Sequence, residues 1–192
     1  MALFVIEHLD PEVFDWNFLE YRAISELIGK ERTLFTNVRR KSDAARFAKL
    51  GAVDQRTIVG FWRELPKPCL LDPNAAKTLT PAEAREFGAF IFGGILGNDP
   101  PQTRTRDLLT VKMEGIPVRN LGPKQFSTDT AVRVVHMLFS GTPLERMRFQ
   151  DGIEVPLRKG EDVFLPYRYL TENGVPLLPR GLVQMLRKRE EF

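Results

Sequence analysis

The sequence predicts an α/β protein whose mostly parallel sheet is covered by helices on both faces. Short apolar segments, typical of buried strands, alternate along the chain with segments bounded by helix start and stop signals. The 192 residues are 43% hydrophobic and 28% charged, a balance typical of a folded protein with a sizeable core. Strands that alternate with helices favour parallel pairing, because each return to the sheet needs a long crossover connection.

The amino-terminal half contains clear start and stop signals. ALFVIEH predicts the first strand, and a helix then runs from Pro11 or Asp15 to Ile28, because Asp10-Pro11 offers a cap and Gly29 a stop. The other elements predicted in this half are a strand at RTLFTNV, a helix capped by Ser42 and ended by Gly51, a strand at Cys69–Asp72 and a short helix that begins at the Thr80 cap.

The alternation continues in the second half and then changes character. The predicted elements are a strand at Phe87–Phe92, a helix at Thr105–Met113, a strand at IPVRN and a helix at Ser127–Ser140. Beyond them, Asp151-Gly152 lies between two alternating runs and predicts a hairpin turn, and Gly181 precedes a short terminal helix. We therefore expect a core at residues 1–142 and, at 143–192, a hairpin and tail that packs on the core or recognises substrate.

Composition excludes several classes of function. Cys69 is the only cysteine, so an internal disulfide and a multi-cysteine zinc site are excluded. With only His8 and His136 to add, no cluster has metal-ligand spacing. The net charge of +3 does not require a nucleic-acid partner. No window approaches the roughly 18 apolar residues of a membrane span, and we expect a cytoplasmic protein.

Short polar or glycine-containing segments lie at the carboxyl ends of three of the predicted strands. Glu7-His8 ends the first strand, Gly93-Gly94 ends the strand within FGAFIFGGILGNDPP, and Asn120–Gly122 follows IPVRN. Ligands in open α/β sheets gather beyond the carboxyl ends of the strands. The glycine stretch alone is more typical of a plain turn, since it matches neither G-x-G-x-x-G nor a P-loop. Together, the three loops predict a site whose backbone groups suit an adenine edge, ribose hydroxyls and a carboxylate.

Four blocks of the sequence resemble the small SPOUT-class methyltransferases. The blocks are FVIEHLDPEVFDWNFLEY, FIFGGILGNDPPQTRTRDL, RNLGPKQFSTDTAV and LPYRYL with GVPLLPRGL, and they span nearly the whole chain in order. The resemblance is greatest to the branch whose eukaryotic member methylates an arginine of a small-subunit ribosomal protein. It implies a parallel sheet whose carboxyl-terminal part is tied in a trefoil knot, with S-adenosylmethionine bound in the knotted loops.

The resemblance also implies which residues contact the cofactor and the substrate. The implied cofactor contacts are Phe92, Gly93, Gly94, Ile95, Leu96, Gly97, Asn120, Leu121, Gly122, Phe126, Ser127, Thr128 and Thr130. Glycines let a loop backbone approach a ligand closely, and Asp99 with the two prolines after it stiffens the exit of the first loop. Asp99 and Arg104 are the expected substrate contacts, with solvent exposure as the alternative for Arg104.

Glu7 and Glu20 are the expected catalytic residues. Glu20 shares a face of the first predicted helix with Trp16, and a carboxylate in an apolar stripe is costly to bury unless paired. Spacing alone favours a salt bridge to a cation such as Arg22 or Arg39, whereas the resemblance implies that both carboxylates face an arginine. A guanidinium, with a pKa near ~13.8, must lose a proton as a nitrogen is methylated, and carboxylates hold and deprotonate it.

Two other functions remain as alternatives on the sequence alone. Most SPOUT enzymes methylate RNA, and Arg39–Lys41, Arg104 and Lys124 would then contact phosphates. The modest net charge and the acidic candidate residues favour an arginine substrate over RNA. A non-catalytic ribosome-binding module would keep the fold and lose turnover. The resembled branch acts as a single chain, so we expect a monomer whose partner is a protein substrate, a ribosomal protein by the resemblance, or a structured RNA.

Overall fold

Strands and helices alternate through most of the chain, as the sequence predicts. The computed structural model describes residues 1–96, 103–158 and 161–188. Its elements in chain order are β1 (Leu3–His8), α1 (Asp15–Ile28), β2 (Thr33–Thr36), α2 (Lys41–Phe47), β3 (Ala52–Val53), β4 (Pro68–Leu71), α3 (Pro81–Ala84), β5 (Ala89–Gly94), α4 (Arg104–Leu108), β6 (Val118–Arg119), α5 (Thr128–Phe139), β7 (Phe149–Arg158), β8 (Glu161–Glu172), β9 (Val175–Pro176) and α6 (Leu182–Lys188). Short 3₁₀ helices occupy several of the connections.

The main sheet is parallel, which confirms the predicted fold class. Its strand order is β3-β2-β1-β5-β4-β6, and each neighbouring pair runs in the same direction. The two central strands, β1 and β5, are paired along their whole length, with Leu3 opposite Ala89 and His8 opposite Gly94. Their carboxyl ends therefore lie side by side, where the sequence predicts the ligand site.

The sheet is covered on both faces. Phe4 and Ile6 of β1 point to the face packed by α1 and α5, whereas Val5 between them points to the opposite face. That opposite face is covered by the 3₁₀ segments around Ile58 and by the turns after α4 around Leu109. Alternate residues of one strand thus enter separate hydrophobic clusters, as the period of a strand requires.

A second, antiparallel sheet of order β7-β8-β9 packs beside α1 and α6. The predicted hairpin turn at Asp151-Gly152 is wrong, because β7 continues through it and pairs with β8 as far as Arg158, which lies opposite Glu161. Gly152 lies instead at a register shift within β7, with φ +68°, and a side chain there would meet the ring of Phe164. Bulges of this kind use glycine for its left-handed backbone.

Helix ends agree with the sequence at some elements and not at others: α1 spans Asp15–Ile28, which confirms one of the two predicted starts and the stop at Gly29. Thr80 accepts a hydrogen bond from the Glu83 backbone N–H at 3.3 Å, which confirms the predicted start of α3. The predicted cap at Ser42 is wrong, because α2 already begins at Lys41, and the helix ends at Phe47 rather than running to Gly51. The helix predicted to extend to Met113 ends at Leu108 and gives way to a 3₁₀ turn. None of the helices described here is long and apolar enough to cross a membrane.

Candidate active site

A pocket opens where β4, β5 and β6 end, and three predicted loops converge on it. The predicted cofactor residues that line it are Phe92, Gly93, Ile95, Asn120, Leu121, Gly122, Phe126 and Thr128. The other predicted residues that are described, Gly94, Leu96, Ser127 and Thr130, are not among its lining. Gly97 and Asp99 lie outside the described residues. The structure therefore brings together loops that are far apart in the chain.

Asn120 shapes the second loop through its side-chain amide. Its Nδ2 donates to the Ala75 carbonyl at 2.6 Å, and its Oδ1 accepts from the Gly122 N–H at 2.9 Å and from the Thr78 hydroxyl at 2.8 Å. Gly122 itself has φ +105°, a conformation that other residues rarely adopt. The side chain of Asn120 thus fixes the loop, and a ligand meets mainly backbone at Leu121 and Gly122.

The paired glycines of β5 face opposite ways. A side chain at Gly93 would approach the Thr105 hydroxyl to 2.9 Å, and Thr105 also lines the pocket. A side chain at Gly94 would collide with the Tyr21 hydroxyl beneath α1. Both glycines belong to the strand rather than to a loop. Gly93 therefore opens the pocket, whereas Gly94 makes room for a core tyrosine.

Asp10 holds the base of the first loop. Its Oδ2 accepts hydrogen bonds from the Leu96 N–H and the Asn17 amide, both at 2.9 Å. Arg104 lies 3.7 Å from the Asp10 carboxylate and donates to the Leu96 carbonyl. The structure therefore places Arg104, a predicted substrate contact, in the framework that positions the loop.

The lining fits S-adenosylmethionine by its chemistry. Leu71, Phe92 and Phe126 supply apolar walls that suit an adenine ring, and bare backbone lies at Gly93 and Gly122. Lys124, also in the lining, is a cation that suits a ligand carboxylate. Small-molecule pockets generally combine apolar walls with a few polar groups in this way.

Glu7 is buried among partners supplied by the fold itself. Its Oε2 accepts from the Thr36 hydroxyl at 2.5 Å and the Ile58 N–H at 3.0 Å, and its Oε1 accepts from the Thr57 hydroxyl at 2.5 Å. Burial raises the pKa of Glu7, and these hydrogen bonds oppose the rise. The carboxylate thus ties β1 to β2 and to the 3₁₀ segment at Ile58–Gly60.

Glu20 lies in a different environment, where its side chain projects from α1 toward the first turn of α5. It is 3% exposed, and its Oε1 accepts from the Trp16 indole N–H at 2.9 Å. Burial, followed by repulsion from the Asp129 carboxylate, raises its pKa well above the usual value, and hydrogen bonding from Trp16 and Thr128 opposes that rise. Thr128 also lines the pocket, so Glu20 lies directly beside it.

Glu7 and Glu20 do not converge on one point. Glu7 shares the sheet face of Val5, two residues earlier on β1, whereas Glu20 projects from α1, which covers the opposite face. This placement does not favour the expectation that both carboxylates grip the same guanidinium. Spacing within α1 could not reveal this, because the face of Glu7 depends on the register of β1 in the sheet.

Asp129 and Tyr169 are polar residues near Glu20 that the sequence analysis missed. Burial raises the pKa of Asp129 to about 6. Burial, then the negative charges of Glu20 and Asp129, raise the pKa of Tyr169. An acid in the first turn of a helix is ordinarily a surface residue that complements the helix dipole, so the sequence carries no signal of this burial. Tyr169 lies on the inner face of β8 together with Leu165 and Tyr167, at every second residue of the strand. In the sequence it therefore resembles an ordinary core residue.

Comparison with known proteins agrees with this geometry. A family model described as "Protein arginine N-methyltransferase SFM1-like" matches residues 3–191. Protein arginine N-methyltransferase SFM1 of Saccharomyces cerevisiae is 34% identical over 200 residues, covering 96% of this chain and 94% of its own. The crystal structure of yeast SFM1 complexed with SAM has a TM-score of 0.87 at 32% identity, covering 97% of this chain and 90% of that chain.

A more distant likeness concerns the fold alone. A dual-specific Trm10 protein from Thermococcus kodakaraensis is 17% identical, with a TM-score of 0.58, over 76% of this chain and 96% of its own. This likeness shows a shared fold, with the parallel sheet described above. The chain belongs to the SFM1-like family of protein arginine N-methyltransferases.

Proposed function

We propose that this protein transfers a methyl group from S-adenosylmethionine to an arginine side chain of a protein, and that a ribosomal protein is the substrate. One observation carries the proposal: a pocket that suits S-adenosylmethionine lies beside a buried carboxylate, Glu20, through the shared residue Thr128. Family membership supports the reaction, and a carboxylate beside a methyl-donor pocket has the chemistry that the reaction needs.

The bound cofactor supplies an electrophilic methyl group on a sulfonium sulfur. The residues that would hold it are the apolar lining around Phe92 and Phe126, the backbone at Leu121 and Gly122, and Lys124 at its carboxylate. Because Asn120 fixes the second loop and Asp10 the first, these contacts are in place before binding. Because the loops are already ordered, the binding energy of the cofactor is available to orient its methyl group.

Glu20 is the residue of this chain that we assign to the substrate. A carboxylate binds the planar guanidinium through paired hydrogen bonds and selects one nitrogen for reaction. It also accepts the proton that this nitrogen loses as it is methylated. Glu7, whose oxygens are already used by Thr36, Thr57 and Ile58, is assigned to the framework instead.

The described basic residues do not favour RNA as the substrate. Arg40 pairs with Glu12 at 3.2 Å, and Arg104 is held at Asp10. A phosphate-binding surface needs several cations directed at solvent. Two of the cations expected on such a surface are instead neutralised by acids of the same chain.

Several broader features belong to the same proposal. We assign a trefoil knot to the loops that form the pocket, supported by the resemblance of the sequence to the SPOUT-class methyltransferases and by the fold shared with Trm10. We place the boundary between core and appendage at residues 142 and 143, supported by the separate sheet that follows it. We also assign a monomer in the cytoplasm; the single cysteine, Cys69, is buried and is not placed to join two chains by a disulfide.

The test is methyl transfer from labelled S-adenosylmethionine into a cell extract, separated into protein and RNA fractions. We expect label in protein, recovered as methylarginine after hydrolysis. The Glu20→Gln variant should lose about two orders of magnitude of this transfer, the scale for a positioned acid–base group, while it binds the cofactor normally. Glu26→Gln, on the exposed side of the same helix, is the matched control. Label in RNA alone would contradict the proposal.

A further inference from the structure

Two buried polar atoms near Glu20 have no partner. Among the described residues, Asp129 Oδ1 and the Tyr169 hydroxyl make no hydrogen bond, although Asp129 is only 6% exposed and Tyr169 only 1%. An unpaired buried polar group destabilises the fold, so a native protein that keeps one generally uses it. Two other such atoms are on His8, which contacts Tyr21, and on Trp62, which lies in the cluster on the other face of the sheet.

The charges around these atoms are unbalanced. Glu20 and Asp129 repel one another across the contact between α1 and α5, and both negative charges act on Tyr169 of β8. Arg133, one turn along α5, attracts Asp129 but forms no ion pair with it in the described chain. Trp16 and Thr128 donate to Glu20, and Ser127 and the Thr130 backbone donate to Asp129, yet burial still raises the pKa of both acids. A cation between them relieves their repulsion, so the cluster has the electrostatics of a cation site.

The acceptors of the cluster select the kind of cation. They come from three different elements: carboxylates on α1 and α5, and a hydroxyl oxygen on β8. A guanidinium carries five N–H donors and so can pair with several acceptors at once. A metal ion is disfavoured, because no group of three or more His, Cys, Asp or Glu side chains gathers anywhere in the described residues.

We propose that Asp129 and Tyr169 complete the site for the substrate guanidinium, with Glu20 as its third member. This inference rests on the proposed function and extends it from one residue to three. Asp129 and Glu20 bind the cation from two sides, and the Tyr169 hydroxyl accepts a hydrogen bond from it. Because Tyr169 lies in the second sheet, the tail contributes directly to substrate recognition.

The proposed role of these residues predicts that their substitution lowers activity without lowering stability. Tyr169→Phe removes an unpaired buried hydroxyl, and Asp129→Asn removes a buried charge that repels Glu20. We expect each variant to melt at the parent temperature or above it. Methyl transfer to small-subunit ribosomal proteins should nevertheless fall about tenfold or more, since each substitution removes a hydrogen bond to a charged ligand. Affinity for S-adenosylmethionine should be unchanged.

The experiment measures melting temperature, cofactor affinity by calorimetry and methyl transfer for each variant. Tyr167→Phe removes a hydroxyl two residues earlier on the same strand, and Glu26→Gln removes an exposed charge from α1; both should transfer methyl groups at the parent rate. Absence of methylarginine with the unmodified enzyme would overturn the proposed function. Parent-rate transfer by folded Asp129→Asn and Tyr169→Phe would overturn the present inference alone. Loss of transfer explained by a lower melting temperature would also overturn it.

Discussion

Buried carboxylates in this protein are of two kinds. Those of the first kind, represented by Glu7, have both oxygens occupied by hydroxyl and amide donors of neighbouring elements. Those of the second kind, Glu20 and Asp129, also accept hydrogen bonds, but their negative charges repel each other and Asp129 Oδ1 has no partner. A carboxylate with both oxygens satisfied stabilises the fold, whereas two buried acids that repel each other attract a cation.

Glu7→Gln is expected to lower stability without changing cofactor binding. The substitution replaces one acceptor by an amide donor, so the Thr36 or Thr57 hydroxyl loses its acceptor. We expect the free energy of unfolding to fall by about 1–2 kcal/mol. Urea titration measures this change, with Glu26→Gln as the control. A variant of unchanged stability that no longer methylates protein would instead place Glu7 in the catalytic site.

The stability contribution of Asp129 should depend on pH. Because burial raises the pKa of Asp129 to about 6, from an ordinary value of 3.8, the folded state binds its proton more tightly than the unfolded state does. This contribution is fully present below about pH 4 and is lost as the pH rises through about 6. Glu20, Arg133 and Tyr169 are the ionisable groups that act on or respond to this carboxylate.

The measurement is a difference between two proteins. The free energy of unfolding of the parent minus that of Asp129→Asn should decrease between about pH 4 and about pH 7. Taking the difference cancels the titrating groups that do not interact with Asp129, including the two histidines. A difference that does not vary with pH would show that Asp129 titrates normally in the folded chain.

At the scale of the element, glycines with different backbones have different roles. Gly122 has φ +105° and open space where a side chain would be, whereas Gly94 lies in a strand against Tyr21. Gly122→Ala therefore strains only the loop backbone, and this strain costs about 1–2 kcal/mol of conformational free energy. Gly94→Ala displaces Tyr21 and with it the 3.0 Å hydrogen bond to His8.

The two substitutions should separate cofactor binding from stability. Gly122→Ala is expected to weaken S-adenosylmethionine binding about tenfold, since about 1–2 kcal/mol of loop strain opposes the bound conformation. Gly94→Ala is expected to lower the melting temperature and leave the affinity of the folded protein nearly unchanged. Calorimetry and thermal unfolding of both variants measure these effects. Equal losses of affinity in the two variants would contradict the assignment.

Element-level signals explain which parts of the fold could be predicted. The Thr80 cap and the strands around Phe4 and Phe92 follow from local sequence, because their determinants lie within a few residues. Asp151-Gly152 is misleading, since the same residue pair serves a tight turn or a bulge, and the pairing with β8 decides between them. Asp129 could not be predicted, because its burial depends on α1 and β8, which are distant in the sequence.

At the scale of the whole molecule, the tail, residues 143–192, packs against α1. Leu182 and Leu186 of α6 are almost completely buried in a cluster with Tyr169, and Trp16 and Leu19 of α1 pack against it. The lining residues of the cofactor pocket, in contrast, all precede residue 142. Cofactor binding and substrate binding should therefore depend on the tail to different degrees.

Leu182→Ala tests this division of roles. The substitution leaves a cavity beneath α6 and should lower stability by about 2–5 kcal/mol. In the fraction that remains folded, we expect normal S-adenosylmethionine affinity and reduced methyl transfer, because the cavity adjoins the cluster that holds Tyr169. Thermal unfolding, calorimetry and the transfer assay measure the three quantities. Loss of cofactor affinity in the folded fraction would show that the tail also supports the pocket.

The pairing of β1 with β5 has a consequence for how the chain is made. Leu3 is synthesised long before its partner Ala89, so Phe4, Val5 and Ile6 emerge from the ribosome without one of the strands that bury them. Contacts between residues so distant in sequence give a high contact order, which slows folding to the millisecond-to-second range. The nascent chain therefore exposes an apolar strand while translation continues, and we expect its yield of folded protein to depend on chaperones.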